Sequence, residues 1–259
     1  VGIPGTGMIG LPIAIALGAL IGKSEYQLEV LKDSTPEAVE EGKKLIDSQA
    51  INIGLKYGIE EKLYIEIICE AEGKKATAII SGGHTHFVYV ARGEEVLVNK
   101  QTSASNDAST EDVELTLRKV CDFAMESPID ELKFILETRN LNKKAAERSF
   151  QGNYGHQLGK TLNSKKNENL MMGDNTFTHI LSYTSAACDA RMAGAMIPVM
   201  SNSGSGNQGI TATLPVVVYA EDNHKSEEEL TRALALSHLT VIYIKQSLGR
   251  LSALCGCVV

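Results

Sequence analysis

Hydrophobic and polar positions divide the chain into a short sheet-forming part and a longer helix-forming part. Apolar and polar residues often alternate in four short runs that Gly73, Gly82 with Gly83, and Gly93 separate. The runs are Leu63 to Ala71, Lys74 to Ser81, Thr85 to Ala91 and Glu95 to Lys100. This pattern predicts an antiparallel meander. Before it, Pro36 to Asp47 has helical spacing with Thr35 as a suitable N-cap, which predicts an amphipathic helix.

Beyond residue 110 the spacing becomes helical. The predicted helical or buried segments are Glu111 to Met125, Pro128 to Thr138, Lys143 to Phe150, Asn175 to Ala195, Ile210 to Ala220 and Leu230 to Lys245. The polar, glycine-rich segment Gly152 to Gly173 is typical of an exposed connector or of a loop that closes over a site. We expect an α+β fold in which a small antiparallel sheet with one or two helices packs beside a mostly helical, glycine- and alanine-rich core domain. The expected boundaries are residues 24–100 for the α/β subdomain, and residues 1–23 and 101–259 for the core domain.

The first 22 residues carry no charge and are long enough to resemble a membrane span or a signal sequence. Pro4, Pro12 and five glycines interrupt this run, and no basic segment precedes it. We therefore favour a buried core helix entered through a glycine-rich loop, and we expect no membrane partner. The chain does not begin with Met and ends within an apolar run, which favours a fragment.

Composition narrows the class of protein. A chain of 259 residues with 43% hydrophobic content can bury a substantial core. The net charge of -7, with scattered Lys and Arg, argues against a nucleic-acid partner. Five cysteines in a chain of this size do not suggest a disulfide framework, so we expect a reducing compartment, the cytoplasm.

The most informative segment is SNSGSGNQGI, Ser201 to Ile210, hereafter the 201–210 loop, which lies between two apolar segments. Its glycines permit positive φ, so that backbone N–H groups can converge on an anionic ligand, most simply at the start of the following helix. The predicted substrate-binding residues here are Asn202, Ser203, Gly204, Ser205, Gly206, Asn207 and Gln208. Their side chains suit a small carboxylate or amino group. A flexible linker is the alternative, which the apolar flanks disfavour.

The segment GTGMIG places Gly5, Gly7 and Gly10 at the spacing of the dinucleotide fingerprint. Only four residues precede it, Pro4 is a poor end for a central strand, and a meander follows instead of a parallel βαβ unit. We favour a glycine turn in which Gly5, Thr6 and Gly7 face a small ligand. A nicotinamide dinucleotide site is the alternative.

Two histidines follow the double glycine in SGGHTHF, Ser81 to Phe87. If the next strand begins near His84, then His84 and His86 point to one side, where they could bind a metal or transfer protons. A hairpin turn with exposed histidines is the equal alternative. We take His84 as the candidate catalytic residue.

Three cysteines, Cys188, Cys255 and Cys257, lie in glycine- and alanine-rich surroundings where a thiolate could bind a metal cluster. Cys255-Gly-Cys257 is tighter than the usual C-x-x-C metal spacing, so the local pattern alone is a weak metal signal. Buried cysteines that act as small hydrophobes are the alternative.

Several blocks together resemble a known family: VGIPGTGMIGLPIA, ISGGHTHFVYV, CDARMAGA, PVMSNSGSGNQGI and LSHLTVIYIKQSLGRLSALCGC. They are similar to uncharacterised bacterial proteins grouped with L-cysteine desulfidase and the alpha chain of iron-dependent L-serine dehydratase. The resemblance implies a [4Fe-4S] cluster held by three cysteines, beginning with Cys255, with Cys257 and Cys188 as candidates for the other positions. It also implies β-elimination from L-cysteine or L-serine to give pyruvate and ammonia, with the 201–210 loop holding the α-carboxylate and α-amino group.

Members of that family usually begin with a further cysteine-containing segment and continue past the CGC block, so the resemblance also implies a fragment. A cofactor-free amino-acid-binding protein of the same fold is the main alternative to the lyase. The choice between cysteine and serine is left open by the sequence, and so is the choice between a monomer and a homodimer.

Overall fold

This computed structural model describes residues 1–100, 113–164 and 173–248. The fold is α+β, as predicted. The described residues form two compact units, one of residues 1–52 together with those from 115 onward, and one of residues 53–100 with 113–114. This boundary falls at residue 53 instead of residue 24, because helix α2 (Pro36–Asp47) packs against helix α1 (Leu11–Ile21).

The remaining helices of the first unit are α3 (Leu117–Glu126), α4 (Ile129–Leu132), α5 (Leu136–Gln151), α6 (Leu158–Leu162), α7 (Thr176–Met192), α8 (Gly206–Asp222) and α9 (Glu227–Leu248), with 3-10 turns at Ser24–Glu29 and Lys133–Ile135. Side-chain caps fix several starts. Thr35 accepts the Ala38 N–H at 3.2 Å, as predicted, and Asn175 accepts the Thr178 N–H at 3.0 Å. Each cap pairs a backbone donor that the helix itself leaves without a partner.

The second unit contains the predicted meander. Strands β1 (Tyr64–Ala71), β2 (Lys74–Ser81), β3 (Phe87–Arg92) and β4 (Glu95–Asn99) pair antiparallel in the order β1-β2-β3-β4. Strand β3 begins two residues later than predicted. His84 and His86 therefore lie in the β2–β3 connection and not on a strand.

The N-terminal apolar run forms helix α1, which buries one face, while Leu11 and Leu20 are exposed. Ile13 and Leu17 of α1 are fully buried and pack with Val39 of α2. Among residues 1–100, 113–164 and 173–248, no helix is both long and apolar enough to cross a membrane.

The centre of the first unit lies where α5, α7 and α8 meet. Fully buried alanines line this contact together with two larger side chains, and the cluster comprises Ala145, Ala146, Ala186, Ala187, Ile210 and Leu214. Alanine adds little volume, so the helices can pack closely. Helix α5 runs without the break that the sequence suggested near residues 139–142. Asn142, polar but fully buried, lies inside it.

The described part of the polar segment 152–173 packs on α7. The Ser182 hydroxyl donates to the Gly159 carbonyl at 2.9 Å, and a Cβ on Gly159 would overlap the backbone of α7. Up to residue 164, this segment is thus attached to α7 at Gly159, while several of its other residues, Asn153 and His156 among them, are exposed. The two predicted alternatives, an exposed connector and a loop that closes over a site, stay open.

Candidate functional site

The 201–210 loop contains a tight turn. Asn202 and Ser205 exchange two backbone hydrogen bonds, of 3.1 and 2.9 Å, across this turn. Ser203 and Gly204 both have positive φ, 48° and 78°, which is the conformation of a type I′ turn. Glycine adopts this conformation without the steric cost that other residues carry. The loop is thus an ordered turn that leads directly into α8.

Helix α8 begins with unpaired backbone donors. The Ser205 hydroxyl oxygen accepts the Gln208 N–H at 3.3 Å. In the described part of the chain, no group accepts the N–H of Gly206 or of Asn207. Because the N-terminal end of a helix has a partial positive charge, these two N–H groups favour an anion.

Arg191, in the last turn of α7, adds a full positive charge at the same place. Its Nη1 donates to the Asn207 side-chain oxygen at 2.9 Å. A Cβ at residue 206 would overlap the Arg191 side chain, so glycine lets the guanidinium approach the start of α8. Sequence reasoning did not single out Arg191, although it lies within the CDARMAGA block.

Gln208 contributes an unusual buried acceptor. The residue is 2% exposed, and within the described chain its Oε1 atom accepts no hydrogen bond. Buried polar atoms almost always have a partner, and an orphaned one calls for a water or a ligand that supplies the donor.

A network of buried hydrogen bonds connects the 201–210 loop to helices α8 and α9. Asn202 Nδ2 donates to His238 Nδ1 at 3.0 Å and to the His238 carbonyl at 3.1 Å. His238 Nε2 lies 3.0 Å from the Thr213 hydroxyl, which donates to the Gly209 carbonyl at 2.7 Å. Since an amide nitrogen can only donate, Nδ1 is the acceptor and Nε2 holds the proton. Burial lowers the pKa of His238, which favours this neutral imidazole.

Asn142 of α5 completes this network. Its side-chain oxygen accepts the Met200 N–H at 2.9 Å, and its Nδ2 donates to the Gly209 carbonyl at 3.2 Å and to the Thr213 hydroxyl at 3.1 Å. Asn142 therefore joins the segment before the loop to the first turn of α8.

Most side chains that the sequence offered as ligand donors stabilise the loop itself. Asn202 binds His238, Ser205 caps α8, and Asn207 binds Arg191. Ser203 donates to the Asn202 side-chain oxygen at 2.9 Å. The groups left for a ligand are thus the backbone N–H groups, Arg191 and the Gln208 amide oxygen.

The glycine turn near the N-terminus docks on the end of α7. Gly2 donates to the Met192 carbonyl at 2.7 Å, and Gly5 donates to the Gly194 carbonyl at 3.2 Å. The Thr6 hydroxyl donates to a carbonyl at 2.8 Å and accepts an N–H at 2.9 Å within the turn. Its side chain therefore has a structural role, whereas Gly7 is exposed.

The end of α7 thus contacts two predicted site elements, the glycine turn and the start of α8. A cavity of about 470 Å³ lies beside the glycine turn and is lined mainly by apolar side chains, Met196 among them. The residues of the 201–210 loop do not line this cavity, and no hydrogen bond joins the loop to Gly5, Thr6 or Gly7 in the described chain.

His84 is exposed in the β2–β3 connection of the second unit. His86 has a structural partner, because its Nδ1 lies 2.9 Å from the Ser81 carbonyl oxygen. The connection is therefore a turn with an exposed histidine. The catalytic role of His84 stays a prediction.

The cluster ligands also stay a prediction. Cys188 is half-buried and packs against the apolar cluster between α5, α7 and α8. Cys255 and Cys257 lie outside the described residues. Within the described ranges, no group of three or more His, Cys, Asp or Glu side chains could hold a metal ion. The described residues alone therefore do not fit a [4Fe-4S] cluster.

Comparison with known proteins identifies the family. Residues 25–259 match the family described as serine dehydratase alpha chain, and the chain belongs to this family. A protein named UPF0597 from Phocaeicola vulgatus is 80% identical over all of this chain, which covers 60% of that relative. UPF0597 proteins from Bacteroides thetaiotaomicron and Shewanella pealeana are 70% and 42% identical over 100% and 99% of this chain, which again spans 60% of each relative. No solved structure matches the chain.

Proposed function

We propose that the start of α8 binds the α-carboxylate and the α-amino group of a small amino acid. We further propose that the chain forms the substrate-binding part of a lyase. This lyase would eliminate the β-substituent of L-cysteine or L-serine and give pyruvate and ammonia. Membership of the serine dehydratase alpha chain family supports this class of reaction.

One observation supports the amino-acid site above all others. The Gly206 and Asn207 N–H groups and the Arg191 guanidinium provide donors and positive charge, while Gln208 provides a buried acceptor in the same turn of α8. A carboxylate accepts hydrogen bonds from the N–H groups and the guanidinium, and an ammonium group donates to the Gln208 amide oxygen. This combination of donors, positive charge and a buried acceptor matches the carboxylate and the ammonium group of a zwitterion.

The same donors would assist elimination. Removal of the α-proton places negative charge on the substrate carboxylate, and donors already in position stabilise that charge without rearranging. His84 of the second unit remains a proposed base on the sequence alone, and none of the contacts at α8 depends on it. A role for a [4Fe-4S] cluster is proposed from family membership alone, with Cys188, Cys255 and Cys257 as candidate ligands, and none of the contacts at α8 depends on it.

Calorimetric titration of the chain with L-serine and with L-cysteine tests the binding site. We expect binding that Arg191→Gln weakens about tenfold or more, because a charged hydrogen-bond donor is lost. Arg118→Gln is the matched control, since that side chain is 85% exposed, and should bind as the unmodified chain does. L-cysteine methyl ester, which has no carboxylate, should not bind. Equal binding of the ester and of the parent acid would refute the proposed contact.

Pyruvate release tests the reaction separately. The chain is incubated with L-serine or L-cysteine after anaerobic treatment with iron and sulfide. Pyruvate formation supports the lyase, whereas binding without pyruvate favours a binding protein without turnover. Formation of pyruvate from only one substrate decides between serine and cysteine.

A further inference from the structure

His238 joins three parts of the first unit through one buried ring. It lies on α9, is 6% exposed, and has a hydrogen-bond partner at each ring nitrogen. Asn202 of the loop lies on one side and Thr213 of α8 on the other. The ring therefore spans the loop and the helix that together form the amino-acid site.

The contacts of Asn202 leave its side chain one orientation. Both amide hydrogens point to His238, one to the ring and one to the main chain, while the amide oxygen receives the Ser203 hydroxyl. Asn202 also exchanges both backbone hydrogen bonds with Ser205, the residue that caps α8. Loss of the bond to the ring would therefore loosen the turn and the start of the helix.

We propose that His238 is a positioning residue for the amino-acid site, which acts by holding Asn202 and, through it, the turn of the 201–210 loop. This inference rests on the proposed function. His238 itself touches no ligand. Its effect on binding comes from the geometry of the Gly206 and Asn207 N–H groups.

Protonation of His238 should break the hydrogen bond that Asn202 Nδ2 donates to His238 Nδ1. A protonated ring has a proton on both nitrogens, so Nδ1 could no longer accept the Asn202 hydrogen bond. The titratable and charged side chains of the elements packed against α9 are Arg118, Lys119, Cys121, Asp122 and Glu126 on α3, Asp130 and Glu131 on α4, Lys133 in the 3-10 turn, and Tyr219, Glu221 and Asp222 on α8. None of them contributes to the lowered pKa of His238, for which burial is the cause.

The direction of the pH effect follows from these contacts. The neutral His238 ring is the form that accepts the hydrogen bond from Asn202. The affinity for the amino acid should therefore be highest well above the ordinary histidine pKa of 6.5. It should weaken as the pH falls through the lower pKa of the buried ring.

Two variants test the proposal. His238→Asn places an amide oxygen near the position of Nδ1 and can still accept from Asn202, whereas His238→Leu cannot. At about pH 7.5 we expect His238→Leu to bind L-serine about tenfold more weakly, and His238→Asn to bind within about twofold of the unmodified chain. As the pH is lowered from about 7.5 to the lowest pH at which the chain stays folded, the unmodified chain should bind progressively more weakly, and His238→Asn should not. A pH dependence that persists unchanged in His238→Asn would overturn the proposal, even if His238→Leu does not fold.

Amide hydrogen exchange of residues 201–208 provides a measurement without ligand. We expect faster exchange in His238→Leu and nearly unchanged exchange in His238→Asn. Equal exchange in all three proteins would contradict the positioning role. If the unmodified chain binds no amino acid, the proposed function fails, and the exchange data still decide whether His238 holds the loop.

Discussion

Gly159 of α6 lies against Ala186 of α7 so closely that a Cβ on residue 159 would overlap the Ala186 backbone nitrogen. The Ser182 carbonyl oxygen is equally near, and the Ser182 hydroxyl donates to the Gly159 carbonyl at 2.9 Å. Only glycine fits this contact. It holds α6 against the helix whose last turn provides Arg191.

The substitution Gly159→Ala should lower the free energy of unfolding by about 2 kcal/mol, because the added methyl group must push two backbones apart. Urea unfolding followed by circular dichroism measures this change. Gly18→Ala is the control, since a Cβ at residue 18 meets no neighbour and alanine favours the helix. Equal stability of both variants would show that the α6–α7 contact can relax.

Asn142 should be a stability centre of the first unit. Its replacement by alanine removes hydrogen bonds to Met200, Gly209 and Thr213 from a fully buried position. We expect Asn142→Ala to cost about 3 kcal/mol, since several buried groups lose their partner. Asn140→Ala, two residues earlier and exposed, should stay within about 0.5 kcal/mol of the unmodified chain. The two midpoints of urea unfolding give the comparison, and a loss of similar size at Asn140 would rule out a special role for Asn142.

Arg232 closes the end of another helix. Its Nη1 lies 3.0 to 3.1 Å from the carbonyl oxygens of Ala124, Met125 and Ser127, where α3 ends, and its side chain is 19% exposed. A cation at this end of a helix also interacts favourably with the helix dipole. Arg232→Gln should therefore lower the stability by about 1–2 kcal/mol.

Thermal unfolding can measure the Arg232 effect against a second arginine. Arg118 on α3 lies 3.9 Å from Asp122 and is 85% exposed. Exposed ion pairs of this kind contribute little, so Arg118→Gln should change the stability by less than about 0.5 kcal/mol. A larger loss for Arg118→Gln than for Arg232→Gln would contradict the assignment of Arg232 as the helix cap.

Local patterns predicted the elements well. Alternation and glycine positions placed the four strands, because a strand exposes every second residue to the same surroundings. The gap between the predicted helical segments Pro128 to Thr138 and Lys143 to Phe150 was wrong, because α5 runs through it. Asn142 lies in this gap, and it is buried with hydrogen-bond partners that are distant in the sequence. Those partners, Met200, Gly209 and Thr213, lie 58 to 71 residues along the chain.

The sequence predicted the local part of the candidate site but not the part that depends on distant contacts. The glycines of the 201–210 loop mark an unusual backbone within the sequence itself, so the loop could be found. Arg191 and His238 join the site through contacts with Asn207 and Asn202, 16 and 36 residues away. No spacing rule reports such contacts, because they depend on how α7 and α9 pack around α8.

His179 should make the stability of the first unit depend on pH. Its ring lies between Asp222, at 2.8 Å, and Asp174, at 2.6 Å. The hydrogen bond with Asp222 is the largest cause that raises the pKa of His179 above its ordinary 6.5; burial opposes it, and the hydrogen bond with Asp174 adds a smaller increase. A histidine whose pKa is raised by folding contributes stability that is complete below the unfolded pKa and is lost as the pH rises through the folded pKa.

The stability lost in His179→Gln should therefore be larger at about pH 5.5 than at about pH 9. Urea unfolding at both pH values measures this difference. The effect of the lowered His238 pKa on stability cancels, because both proteins contain that residue.

His224→Asn is the matched control, because it removes a histidine that does not lie between two carboxylates. The position is exposed and has a positive φ that asparagine tolerates. A His179→Gln effect that grows with pH would show that the two carboxylates do not stabilise the charged ring.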